Sequence, residues 1–213
     1  MFLVGHNDQT GVPLAAAGVL GLGLSAALLA ELLIGRWVEY GPGSHLEVRF
    51  VPAGFEAAVQ DPAVLPASDV TGWVLAHMLR EPRTLPVRAW LEFLAPRAAQ
   101  RLAERLRAGG WVTGYERRGL LLRRAQPVFA APVRVALVAV GIHEGLRRSA
   151  LNTIEDVMLA LLLDVAGLSE TVLWLDELGR GYLDSRLVLL PPPLHALLGD
   201  TRMAVATTVL TRT

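Results

Sequence analysis

Cysteine and lysine are both missing from this 213-residue sequence, and aromatic residues make up only 6% of it. Without cysteine the chain has no disulfide, no thiolate metal site and no cysteine nucleophile. The 20 basic residues are all arginines, and 20 acidic residues balance them. Because the net charge is zero, the chain as a whole has no electrostatic field that would attract a charged partner.

The short motifs of common enzyme classes are missing as well. The sequence has no GxSxG, HExxH or GxGxxG pattern and no P-loop. Gly18, Gly21 and Gly23 lie in an apolar stretch without the Lys-Ser/Thr pair of a phosphate loop, which favours a role in helix packing. No two histidines have the spacing of metal ligands on a helix. We therefore expect no catalysis, no metal and no cofactor.

What the sequence does contain is apolar: 53% of it is hydrophobic. Alanine, leucine and valine dominate, and the leucines recur at helical spacing, which indicates packed helices. A chain of this length is most naturally one domain with a real core, so residues 1–213 are predicted to form one unit. The predicted fold is a mainly α, single globular domain around a buried central apolar helix, with one or two small β-hairpins.

The longest apolar stretch runs from Gly11 to Gly35, and it is long enough to cross a bilayer. Two interpretations are open, a transmembrane helix or a helix buried at the centre of the domain. Glu31 lies inside the stretch, where a carboxylate in lipid would be costly. No basic residue precedes Arg36, so the cationic flank of an anchor is missing. We therefore predict a core helix that ends at Gly35.

Turn and cap signals predict the remaining elements. Residues 36–40 and 45–51 are expected to form one hairpin, and residues 111–115 and 119–123 a second one. Residues 52–66, with three prolines, are expected to be a loop. Helices are predicted over residues 69–79, 87–94, 96–107, 132–149, 152–165 and 169–178, with a last one after Pro193. Asp164 is either a buried acid paired with an arginine or a marker of an exposed helix face, and the second interpretation is preferred.

The basic residues are unevenly distributed. Between Arg97 and Arg134 there are nine arginines and only two acids, Glu104 and Glu116. Arg97, Arg101 and Arg105 have i, i+4, i+8 spacing and are predicted to form a ridge on one helix face. Guanidinium groups suit phosphate oxygens, but a solvated basic face is an equally open interpretation. Nucleic acid is disfavoured because few aromatic residues accompany the arginines.

Four blocks of the sequence, in this order, resemble the Golgi phosphoprotein 3 family, in the form common among actinobacteria. They are residues 2–11, residues 23–36, residues 90–94 with 101–113, and residues 156–167. The resemblance implies a mainly helical domain with the apolar helix inside. It also implies a peripheral membrane protein, since eukaryotic relatives bind phosphatidylinositol 4-phosphate and act as adaptors for membrane-protein clients, without catalysis. In this family a β-hairpin contributes to the contacts between the subunits of an oligomer.

The lipid pocket of the family aligns here with Ala16, Ser25, Pro96 and Ala99, none of which is cationic. Anionic phospholipid headgroups are therefore predicted to bind elsewhere, at the site formed by Arg97, Arg101, Arg117 and Arg118. The expected location is the cytoplasm, on the inner face of the membrane. The alternative function is a protein-interaction scaffold, in which the basic hairpin mediates partner or homo-oligomer contacts without lipid.

Overall fold

The structure, a computed structural model, describes residues 1–41, 43–66, 69–116, 125–151 and 153–211. The α-helices in these ranges are α1 (Ala17–Ile34), α2 (Glu56–Gln60), α3 (Val70–Arg80), α4 (Val87–Ala108), α5 (Pro132–Arg147), α6 (Ile154–Val165), α7 (Glu177–Val188) and α8 (Pro192–Leu210). The strands are β1 (Val38–Gly41), β2 (His45–Val48), β3 (Val112–Glu116) and β4 (Gln126–Phe129). The predicted mainly α fold with two small hairpins is confirmed.

Helix α1 lies at the centre of the fold and packs against α3, α4, α6 and α8. Most of its residues are buried, and Leu24, Leu29 and Leu32 have no exposed surface. By length and composition alone this helix could cross a membrane, but most of it is enclosed by the other helices. Gly35 ends it, as predicted, with its N–H bonded to the Glu31 carbonyl at 2.9 Å. The prediction of a buried central helix is confirmed.

The start of α1 differs from the prediction, because the helix begins at Ala17 and not at Gly11. The preceding residues form a turn in which the Asn7 side chain accepts hydrogen bonds from the backbone N–H groups of Gln9 and Thr10. Gly11 has a positive φ of 69°, which a residue with a side chain rarely adopts. The apolar residues after this turn pair with the N-terminal segment, because the Asn7 N–H donates to the Val12 carbonyl at 2.8 Å and the Leu14 N–H to the Gly5 carbonyl at 2.9 Å.

Helix α4 is continuous through Pro96, although two separate helices were predicted there. Pro96 lacks the N–H that would bond to the carbonyl four residues earlier, and it costs helix stability. The residues on both sides still share one buried face, formed by Leu91, Leu94 and Ala98. Because this face packs along α1, tertiary contacts hold the helix together where local propensity would break it.

Three further boundaries need correction. The predicted loop over residues 52–66 contains α2 and a 3-10 turn, Pro62–Val64. Strand β3 pairs with β4, four residues at Gln126–Phe129. The predicted partner strand, residues 119–123, lies outside the described residues. The helix predicted over residues 169–178 is a short π-helix, Ser169–Leu173, followed by α7. Asp176 separates the two helices because its side chain caps α7 at the N–H of Gly179, at 2.7 Å.

The hairpin β1–β2 is tied to α8 by one partly buried contact. The Tyr40 hydroxyl donates to Oδ2 of Asp200 at 3.3 Å. Burial raises the pKa of the Asp200 carboxyl above its ordinary value, and burial with the nearby Asp200 charge raises the pKa of Tyr40. The folded protein therefore holds the Asp200 proton more tightly than the unfolded chain does.

Asp200→Asn is expected to change how stability depends on pH. A carboxyl whose pKa is raised by folding contributes stability at low pH, and this contribution is lost as the pH rises from about 4 through the folded-state pKa. Asparagine keeps the acceptor for Tyr40 but cannot ionise. The stability of the variant should therefore not fall as the pH rises, and at neutral pH the variant should be more stable than wild type. Urea denaturation between about pH 4 and pH 7 measures the free energy of unfolding of both proteins. Exposed Asp184→Asn is the control, and identical pH profiles of wild type and Asp200→Asn would contradict the prediction.

Candidate functional site

A row of aromatic rings lies between α3 and α4. Asp69 begins α3 by accepting a hydrogen bond from the Gly72 N–H at 2.8 Å. One turn later Trp73 and His77 share a helix face, and their ring centroids are 5.0 Å apart. His77 is 5.2 Å from Phe93 of α4, again edge to face. Such pairs are favourable beyond the area they bury, so the row gives the α3–α4 contact a defined geometry.

Two of the predicted headgroup residues lie on this row. The Arg97 guanidinium is 5.5 Å from the ring centre of Phe93, and that of Arg101 is 5.3 Å from Trp73. Trp73 is buried and Phe93 is 38% exposed, so the row runs from the core to the surface. Stacking on a ring restrains a guanidinium while leaving N–H donors at its edge for an anion. The structure thus brings Arg97 and Arg101 together on aromatic supports.

The two arginines differ in their acidic neighbours. Arg101 lies 3.5 Å from Glu104. Within the described ranges, no carboxylate lies at ion-pair distance from Arg97, whose side chain is exposed. Arg97 is therefore the member of the pair with its charge most available to a ligand.

The third arginine of the predicted ridge has a different role. Arg105 donates to Glu31 at 3.2 Å, and the same carboxylate accepts from the Thr71 hydroxyl at 3.1 Å. Glu31, the one acid of the apolar stretch, thus joins α1 to α3 and α4 at the surface. Arg117 and Arg118, the other two predicted site residues, lie outside the described residues.

Sequence reasoning missed the residues that complete this surface. Trp73, His77 and Phe93 support the arginines, and Arg80 follows on the next turn of α3. Burial lowers the pKa of His77, and the positive charges of Arg80, Arg97 and Arg101 lower it further. The i, i+4 spacing of Phe93 and Arg97 could have predicted their contact from the sequence. The contacts with Trp73 and His77 of α3 could not be predicted, because they depend on how two helices pack.

Asp164 of α6 and His143 of α5 each bond to the π-helix, Ser169–Leu173. Asp164 is half-buried, accepts a short hydrogen bond from the Ser169 hydroxyl and lies 3.9 Å from Arg180. His143 donates from Nδ1 to the Leu173 carbonyl at 2.8 Å. The preferred interpretation of Asp164, a marker of an exposed face, is therefore wrong, because it is paired with an arginine. Among the described residues no three ligating side chains could hold a metal ion.

A cavity of about 770 Å³ lies on another side of α4, against α1 and the β3–β4 hairpin. No arginine is among the described residues that line it. At 100° per residue, Pro96 and Ala99 face this cavity while Arg97 and Arg101 face α3. Small residues of α1 and α4 form much of its wall: Ala17, Gly18, Gly21, Ala95, Ala99 and Ala103. The cavity and the arginine pair are separate features of the surface.

Comparison with protein families gives a match over most of the chain. Residues 1–190 match the sequence model of a family described as Golgi phosphoprotein 3 (GPP34). The chain belongs to this family. A search of curated proteins found no match. Family membership supports an adaptor-type protein at the level of the family, and it supports a role without catalysis.

The positions that align with the Golgi phosphoprotein 3 lipid pocket have unsuitable chemistry here. Pro96 and Ala99 line the cavity but carry no charge. Ser25 has no exposed surface, and its hydroxyl donates to the Gly21 carbonyl at 2.8 Å, so it cannot contact a ligand. Ala16 immediately precedes α1, and its methyl side chain has no group that could bind a phosphate. In this member of the family, a pair of arginines on aromatic rings lies instead on the α3–α4 face.

Proposed function

We propose that this chain is a non-enzymatic peripheral membrane adaptor that binds anionic phospholipid headgroups through Arg97 and Arg101. The observation that carries the proposal is the arginine pair on its aromatic supports. Arg97 lies over Phe93 and Arg101 over Trp73, at 5.5 Å and 5.3 Å from the ring centres, so a cation–π contact restrains each guanidinium group. A preorganised cation loses less conformational entropy when it binds.

The surroundings of the pair also favour an anion. Arg80 is a further cation on the facing turn of α3, close enough to act on His77 together with Arg97 and Arg101. Phe93 is partly exposed at the same surface, and an aromatic ring suits the headgroup level of a membrane. Clustered cations near an anionic leaflet contribute about 1 kcal/mol each. The proposed location is accordingly cytoplasmic, on the inner face of the membrane, where membrane-protein clients would be met.

The test is co-sedimentation with vesicles of phosphatidylglycerol and phosphatidylcholine in equal parts, with no detergent. Wild type should bind, and added salt should weaken binding. Arg97→Ala with Arg101→Ala should weaken it about thirtyfold, the effect of two cations of about 1 kcal/mol each.

The matched control is Arg83→Ala with Arg88→Ala, which removes the same charge from exposed arginines that already pair with Glu81 and Glu92. This control should bind like wild type. Adding Arg117→Ala and Arg118→Ala to the first variant measures the other two predicted site residues. The proposal fails if wild type ignores anionic vesicles, or if the Arg97/Arg101 and control variants bind them equally.

A lipid-independent scaffold is the second candidate function. The observation that favours it is an exposed apolar stripe on α5, where Val133 is 70% and Leu137 60% exposed, with Val140 one turn further on. Exposed apolar stripes of this kind fit contacts with a partner or a second copy. Retention of one client protein by immobilised chain in the absence of lipid, lost in Leu137→Asp, would support it. Unchanged retention in Leu137→Asp would count against it.

A further inference from the structure

We infer that His77 and Arg80 of α3 complete the anion site of Arg97 and Arg101, and that His77 takes up a proton when an anion binds. This inference rests on the proposed function, because it concerns the same site. The inference adds two residues of a second helix to the site, and it makes anion binding depend on pH. The spacing of residues in the sequence indicates neither of these features.

The position of the His77 ring is the first reason. It lies between two aromatic rings, 5.0 Å from Trp73 and 5.2 Å from Phe93. Each of those rings carries one arginine of the site, at 5.3 Å and 5.5 Å. The imidazole is therefore flanked by both guanidinium groups, and it is only partly buried. An anion that bridges the two arginines lies near the imidazole as well.

The second reason is the sign of the surrounding charges. The groups that act on His77 are Arg80 of its own helix and Arg97 and Arg101 of α4, and all three are cations. Together with burial, they lower the pKa of His77, so the imidazole of the free protein is neutral at neutral pH. A bound phosphate cancels part of this positive field. The pKa of His77 must then rise on binding.

Glu104 of α4 pairs with Arg101 of the site and accepts a hydrogen bond from Gln100. The other acids on α1, on α4 and after α3 have partners outside the site: Glu31 bonds to Thr71 and Arg105, Glu92 to Arg88, and Glu81 to Arg83. On the other elements that pack against α3, the titratable groups are Glu56 on α2 and His45 and Glu47 on β2, and none of these is among the groups that shift the pKa of His77. The 3-10 turn, residues 62–64, has no titratable side chain. Glu104 offsets part of the charge of Arg101, but no acid is among the groups that shift the pKa of His77.

Linkage gives the direction of the effect. If binding raises the pKa of His77, the anion must bind more tightly where His77 is protonated, which is at low pH. Each unit of rise corresponds to about tenfold in affinity, reached when the pH falls below the pKa of the free protein. A purely structural role of His77, as one ring of the aromatic row, predicts no such change.

The experiment measures vesicle binding at about pH 5.5 and about pH 8, on either side of the ordinary histidine range. The vesicles again contain phosphatidylglycerol and phosphatidylcholine in equal parts, because the phosphodiester of phosphatidylglycerol does not titrate in this window. Wild type should bind about threefold to tenfold more tightly at the lower pH. His77→Gln should lose this gain, while exposed His195→Gln should keep it. Arg80→Ala should weaken binding about fivefold at both pH values, and Arg83→Ala should not.

A direct readout separates proton uptake from general charge effects. The imidazole pKa of His77, followed by NMR, should rise when short-chain soluble phosphatidylglycerol is added. If His77→Gln does not fold, His77→Phe replaces it, since phenylalanine keeps the ring contacts and cannot take a proton. Binding that is equal at both pH values, or a gain that survives in the His77 variant, overturns this inference and leaves the proposed function standing. No binding by wild type at either pH overturns the proposed function itself.

Discussion

Gly21→Val is expected to lower the free energy of unfolding by about 3 kcal/mol, at the upper end of the cost of overpacking a well-packed core. Gly21 is buried where α1 crosses α4, and a Cβ atom there would lie 2.6 Å from the backbone carbonyl oxygen of Ala95. That oxygen belongs to a helix and cannot rotate away as a flexible side chain would. The two helices must therefore separate, and they share the most extensive helix–helix contact among the described elements.

The control for this variant is Gly199→Ala on the exposed side of α8. A Cβ atom at Gly199 meets nothing within 4 Å, so alanine there should stabilise the protein by about 0.5–1 kcal/mol through helix propensity. Urea or guanidinium denaturation measures both variants. Wild-type stability in Gly21→Val would mean that α1 and α4 do not approach as closely as the structure shows.

Leu29→Ala is expected to cost about 2–5 kcal/mol, the range for truncating a fully buried leucine. Leu29 has no exposed surface and lies in the C-terminal half of α1, two residues before Glu31. The matched control is Leu178→Ala at the start of α7, where the leucine is 80% exposed and the change should stay within about 0.5 kcal/mol. The comparison is made by denaturation without detergent.

This pair of variants also tests the placement of the apolar helix. A leucine enclosed by α3, α4, α6 and α8 loses its packing when truncated, whereas a lipid-facing leucine would contribute little to a fold measured in water. Equal stability of Leu29→Ala and Leu178→Ala would contradict the core position of α1. A wild-type protein that stays in solution only with detergent would contradict it too.

Local signals predicted much of the secondary structure, and they failed where distant contacts compete. Asp69 marked the start of α3 because an N-cap is formed by residues within one turn. Pro96 suggested a break that does not occur, since the face of Leu91, Leu94 and Ala98 is held against α1. Apolar composition suggested helix at Val12 and Leu14, but their backbones bond to Asn7 and Gly5.

The candidate site was predictable in part for the same reason. The i, i+4 spacing of Arg97 and Arg101 is enough to put both on one side of a helix. Only one of the two aromatic contacts could be predicted from the sequence, because Phe93 is on the same helix as Arg97 but Trp73 is on a different helix from Arg101. Arg105 had the same spacing, yet it pairs with Glu31, which lies 74 positions earlier in the chain.

The sequence by itself determined that the chain is mainly helical, that it lacks cysteine chemistry and the common catalytic motifs, and that its arginines cluster. These properties depend on composition and on residues a few positions apart. Only the tertiary structure decided that α1 is enclosed, that Glu31 reaches Arg105, and that His77 lies between the rings supporting Arg97 and Arg101. Such contacts join residues far apart in the chain, and they form because burying apolar helix faces selects which helices pack together.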